Sequence, residues 1–238
     1  MHNRHDRLKL SRRALLAGAG SFLAVGALPH LAAWAQDEAP PPNAIPPAEA
    51  LERLKTGNAR YVSDGGKGRD FSAGDATRVD KQYPIAGVLS SSDSPVPPEI
   101  IFDQKPGDIF VSRNAGNVVS NYTLASLEFA VSYHGIPLIF VLGHTDCSAV
   151  LTALSATVQR KQLPGHLGEI VKAMEPAVIA AHGKHSSDPL NTTVEENVRL
   201  GVKRIKKDSK LISDAVLAGT LKVAGGVFDV KTGVVTLI

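Results

Sequence analysis

The sequence holds one cysteine, Cys147, in 238 residues. A single thiol excludes an internal disulfide framework and any metal site built from cysteines alone within one chain. A long apolar run is also missing. The Ala/Gly-rich stretch from Ala14 to Leu28 is too short and too weakly apolar to span a bilayer stably. No internal repeat occurs, and there is no basic surplus of the kind nucleic acid requires. The net charge of +3 arises in residues 1–35, where Arg4, Arg7, Lys9, Arg12 and Arg13 stand against Asp6, and the remainder carries −1. Lys203, Arg204, Lys206, Lys207 and Lys210 read as a solvated helix face. What is present is 43% hydrophobic and 21% charged residues, which excludes wholesale disorder. The length suits one α/β domain with a short appendage.

That appendage reads as an address. Ala33-Trp34-Ala35 before Gln36 places small residues where a signal peptidase accepts them. Arg12-Arg13 after Ser11, with Leu15-Leu16 following, resembles the twin-arginine export signal of bacteria. The expectation is a signal peptide over 1–35, a proline-rich linker over 36–46 and a folded domain over 47–238. The mature protein is then periplasmic, with no stable membrane anchor after cleavage.

Within the domain, residues 47–65 form a helix that frays at Gly57, with Ala50, Leu51, Leu54 and Tyr61 on one face. IAGVLS ends the stretch 81–90 as a buried parallel strand. Pro97-Pro98 starts a short helix, and 108–113 is a second strand. Residues 122–134 are helical, 138–143 make a central strand, and a helix starts around Asp146. Two further helices cover 167–182 and 192–208. Two strands then close the chain around a turn at Lys231-Thr232-Gly233. The alternation predicts a mostly parallel sheet flanked by helices, with an antiparallel edge strand.

Ligands of such sheets sit beyond the carboxyl ends of strands, which singles out the loops after Ser90 and Gly143. The second loop reads Gly143-His144-Thr145-Asp146-Cys147. If the helix includes both, His144 and Cys147 share a face at i and i+3. Imidazole nitrogen and thiolate sulfur are ligands zinc prefers, although such a pair also packs, caps or acts as a nucleophile. In the first loop, Asp93 reads as a ligand, a general base or a helix cap. Arg113-Asn114-Ala115-Gly116-Asn117 reads as close packing around a site, with Arg113 a candidate to attract an anion. His134 suits a helix C-terminus, while His166, His182 and His185 read as solvent-exposed.

VLSSSDSPVPPEIIFDQKPGDIFVSRNAGNVV, ASLEFAV, PLIFVLGHTDCSAV and GGVFDVKTGVV, in that order, resemble the β-class carbonic anhydrase family over roughly 45–238. The resemblance implies dimers or higher homo-oligomers, one zinc per chain held by Cys, His and Cys, and reversible hydration of carbon dioxide to bicarbonate. His144 and Cys147 match the family's His-x-x-Cys, and Asp93 matches the aspartate of its Cys-x-Asp-x-Arg. Ser91 stands at the zinc cysteine, Pro95 at the arginine, and Ser148 at a small glycine.

These departures bear on the chemistry. A serine hydroxyl is neutral and hard to ionise, so Ser91 is a poor zinc ligand. Without a guanidinium at Pro95, Asp93 is released to become a replacement ligand beside His144 and Cys147. The expectation is a family member whose hydration is impaired or lost. The alternatives are a slow zinc hydratase using Asp93, His144 and Cys147, and a non-catalytic protein that binds an anion or a partner. A hydrolase built on Cys147 and His144 is a further possibility.

Overall fold

A computed structural model describes residues 40–64 and 82–238. The expected signal peptide, the first residues of the expected linker and the segment 65–81 lie outside the described residues. Among those described, no helix is long and apolar enough to cross a membrane.

Five strands form one sheet: β1 (Ala86–Ser91), β2 (Ile109–Asn114), β3 (Leu138–His144), β4 (Lys222–Phe228) and β5 (Val235–Leu237), in the order β2-β1-β3-β4-β5. The first four are parallel, and β5 runs antiparallel to β4 at the edge. This is the mostly parallel, helix-flanked sheet the alternation predicts. β1 and β3 are buried at every position, as strands covered on both faces must be.

The helices are α1 (Pro47–Asp64), α2 (Pro98–Ile101), α3 (Asn121–His134), α4 (Ser148–Gln159), α5 (Leu167–His182), α6 (Pro189–Asp208) and α7 (Lys210–Leu217). A short 3₁₀ turn, Ala115–Asn117, follows β2. On one face, Ala50 and Leu54 of α1 and Ile101 and Phe102 around α2 pack with Val88, Phe140 and Leu142. On the other, Leu127, Val198, Ile205 and Ile212, from α3, α6 and α7, pack with Leu89, Ile139 and Val141.

Four boundaries differ from expectation. α1 runs unbroken through Gly57, where a methyl group would collide with the carbonyl oxygen of Phe102. That glycine permits a close approach and does not end the helix. Asn43 and Ile45, in the stretch read as linker, pack onto the domain. Asn43 Nδ2 donates to the carbonyls of Pro84 (3.0 Å) and His134 (2.6 Å), and Ile45 lies against the first core cluster. α6 starts early, at Pro189, because the Asp188 carboxylate accepts the Asn191 amide at 3.0 Å and caps it. The fourth, α7, is an unexpected helix of eight residues opened by the Ser209 hydroxyl, too short to show as a period.

Candidate metal centre

β1 and β3 are adjacent and parallel, with Ser90 opposite Leu142, so their carboxyl ends open side by side. Ser91 ends the first and His144 the second. The chain leaves β3 through a tight turn, not through the helix. Thr145 N donates to Phe228 O at 2.9 Å, and Thr145 Oγ1 accepts from Val230 N at 3.1 Å. Asp146 takes a left-handed φ of 57°, its amide on Asn191 Oδ1 at 3.1 Å. Cys147 is then the N-cap of α4. His144 and Cys147 therefore converge because a turn folds one back on the other, and no helix face is shared.

The result is a compact donor set. One ligand atom each from Asp93, His144 and Cys147 lies within 4.8 Å of the others. His144 is 3% exposed and Cys147 1%, while the Asp93 side chain is 30% exposed. His144 Nδ1 sits 3.0 Å from the Thr145 carbonyl, which only accepts, so Nδ1 carries the proton. Its Nε2 lies 3.1 Å from Asp93 Oδ2 without hydrogen-bond alignment, buried and with no hydrogen-bond partner among the described residues. A buried ring nitrogen facing a carboxylate at that distance is a place where a cation fits.

Burial pushes the Cys147 thiol above its ordinary value of 9.0. The Val150 and Ala149 amides oppose that shift, the Asp93 charge adds to it, and the Ser91 hydroxyl opposes it. With no cation present the sulfur keeps its proton; a metal ion displaces it, and the two amides at the start of α4 are placed to receive the thiolate. Carboxylate, imidazole and thiol, one orphaned ring nitrogen and a sheltered sulfur suit zinc in donor type and number.

Ser91 is wholly buried beside this set. Its hydroxyl accepts the Asp93 amide at 3.2 Å and turns toward the Cys147 sulfur. Arg113 does not present its guanidinium as an open anion site. Nε donates to Ser91 O at 2.7 Å and Nη2 to Asp93 O at 2.6 Å, so it holds the loop's backbone and leaves the carboxylate alone. The carboxylate is met instead by Ser148, whose Oγ is 3.3 Å from both Asp93 oxygens. Sequence reasoning passed over that contact. Its signal was a hydroxyl directly after the cysteine, where a small residue was expected. His166, His182 and His185 are exposed, as expected.

The family described as carbonic anhydrase matches residues 86–235. The carbonic anhydrase of Mycolicibacterium smegmatis is 36% identical over 199 residues, which are 82% of this chain and 95% of that protein. Carbonic anhydrase 2 of Mycobacterium tuberculosis is 34% identical over 191 residues, 79% of this chain and 90% of the relative. Among solved structures, a Coccomyxa β-carbonic anhydrase in complex with acetazolamide superposes with a TM-score of 0.62 at 25% identity, covering 81% of this chain and 85% of that one. One of two tetrameric β-carbonic anhydrases from Sordaria macrospora shares the fold, with a TM-score of 0.63 at 23% identity over 80% of this chain and 94% of that one.

Proposed function

Because the chain belongs to the β-class carbonic anhydrase family, we propose that it binds zinc through Asp93, His144 and Cys147 and hydrates carbon dioxide to bicarbonate, reversibly and slowly. The observation that carries this reading is the convergence of three chemically suited donor atoms within 4.8 Å at the carboxyl ends of β1 and β3. Zinc held there supplies the Lewis acidity that brings the pKa of a water to about 7.

The protein's own groups do the rest. The Thr145 carbonyl fixes the tautomer of His144 and keeps Nε2 turned inward. The Ala149 and Val150 amides stabilise a Cys147 thiolate. Ser91 contributes no charge, and its hydroxyl is engaged with Asp93 and Cys147. Asp93, spent as a ligand, is unavailable to orient the reacting water, and Pro95 brings no guanidinium to the task. The reaction is slow for that reason.

The test is elemental mass spectrometry on the protein purified without chelator, followed by stopped-flow carbon dioxide hydration. About one zinc per chain with measurable turnover, both lost in Asp93→Ala, supports the reading. A folded protein without zinc overturns it and leaves a scaffold that binds an anion or a partner without catalysis. The same proposal extends to a homo-oligomer, for which the exposed Tyr122, Phe129 and Tyr133 on α3 offer apolar surface. It extends also to the periplasm, on the strength of Arg12-Arg13 and Ala33-Trp34-Ala35.

A further inference from the structure

We infer that Ser148 is a positioning residue for Asp93. Its hydroxyl holds the carboxylate where it can serve a metal ion, in a loop with no guanidinium to hold it elsewhere. The inference rests on the zinc site proposed above and deepens it.

Asp93 lies on an open loop, and its restraints are of two kinds. The backbone is fixed: Arg113 grips the carbonyls of Ser91 and Asp93, Ser91 Oγ accepts the Asp93 amide, and Val96 N returns to Asp93 O at 3.3 Å. None of these bonds limits the side-chain torsions of Asp93. A carboxylate that is 30% exposed rotates toward water unless something holds it. His144 Nε2 lies 3.1 Å from Oδ2 without hydrogen-bond alignment, so it makes no directed hydrogen bond to the carboxylate. Among the described residues, Ser148 Oγ is the side-chain donor that reaches it, equidistant at 3.3 Å from Oδ1 and Oδ2.

The placement of Ser148 makes the hold directional. It is the first residue of α4, directly after the N-cap Cys147, and its own carbonyl accepts from Thr152 Oγ1 at 2.8 Å. The turn that delivers the thiol therefore also delivers the hydroxyl that grips a carboxylate 55 residues earlier in the chain. A hydroxyl also differs from a guanidinium in kind. A bidentate arginine neutralises a carboxylate and draws it to itself. One neutral O–H, shared between the two oxygens at 3.3 Å, brings no charge and leaves the carboxylate's own charge free for a cation. Ser91, Pro95 and Ser148 then form one coherent change: a thiolate withdrawn, a competing cation withdrawn, and a neutral clamp added for the carboxylate that takes over.

The experiment compares wild type, Ser148→Ala and Ser148→Thr as purified full-length proteins. Zinc affinity is read by competition with a chromophoric chelator, and coordination by the visible spectrum after cobalt(II) substitution. Loss of the outer hydroxyl is expected to weaken zinc binding about 10–100-fold. The cobalt d–d bands should shift as the carboxylate loosens, with the Cys147 thiolate band retained, and Ser148→Thr should restore both. A Ser148→Ala protein with wild-type affinity and spectrum, in a wild type that binds zinc, overturns this inference alone. A wild type that takes up neither metal overturns the zinc site and the inference with it.

Discussion

Ser91 sits close enough to Cys147 to interact with its sulfur, and its hydroxyl faces the donor set without adding charge to it. Replacing it with cysteine tests what the site has lost. In Ser91→Cys a second thiolate joins Asp93, His144 and Cys147, giving four protein ligands. Four-ligand tetrahedral sites are closed, whereas hydration needs one open position. Zinc affinity, read by chelator competition, is therefore expected to rise at least about tenfold, by the logic that ligand number sets the strength of structural sites. Hydration of carbon dioxide should not rise with it. A variant that gained both affinity and turnover would show that Asp93 leaves the metal when a thiolate replaces it.

Elements position these residues through a few buried polar side chains. Asn58 of α1 ties three segments together: Nδ2 donates to Ile101 O at 3.1 Å and Gly233 O at 2.8 Å, and Oδ1 accepts from Val235 N at 2.9 Å. Asn58→Leu would leave the buried Ile101 carbonyl without this partner, together with the half-buried Gly233 carbonyl and Val235 amide. At about 1–3 kcal/mol for a buried orphaned group, with water able to reach the other two, the loss of stability should be about 1–3 kcal/mol in urea unfolding. A change near zero would mean that α1 and the β4–β5 turn are held by apolar packing alone. The loop after β2 uses a different device. Gly116 adopts φ 69°, and a methyl group there would strike Met174 of α5, so the turn that carries Asn114 and Asn117 packs against the helix without a side chain in the way.

Across the whole molecule, a buried carboxylate of α6, Glu196, ties that helix to the turn after α5. Burial by itself would raise the pKa of Glu196, but Lys184 Nζ at 2.6 Å and Arg199 Nη1 at 2.7 Å outweigh it and hold the group below its ordinary 4.5. The Asn191 amide at the start of α6 lowers Asp188 in the same way. A carboxylate whose pKa is lower folded than unfolded stabilises the fold above its unfolded value. That contribution fades as pH falls through the folded value. Stability from urea unfolding should thus be level from neutral pH down to about pH 5 and decline below the ordinary carboxylate range. Glu196→Gln should be less stable than wild type at neutral pH and should lose less on acidification. Because Lys184 and Arg199 are partly solvated, salt should reduce the difference.

Fold and family were legible in the chain itself. IAGVLS and LIFVLGH are apolar without alternation, as only strands covered on both faces can be, and helical periods separate them. The β–α order then leaves few ways to arrange a parallel sheet. His144, Cys147 and Asp93 were legible as candidates because strand ends are where such sheets place chemistry, and Ser91 through the family resemblance alone. Their relation to one another was not. Spacing alone suggested a shared helix face, whereas the left-handed Asp146 and the contacts of Thr145 with Phe228 and Val230 made the turn that brings imidazole to thiol. Sequence could place Arg113 near the site, but only the packed loop spends its guanidinium on two backbone carbonyls. Nor could it join Ser148 to Asp93 across 55 residues. Local pattern determines elements because periodicity and burial act residue by residue. The direction in which a side chain's last polar atom points depends on which strand ends stand side by side, and only the closed tertiary structure decides that.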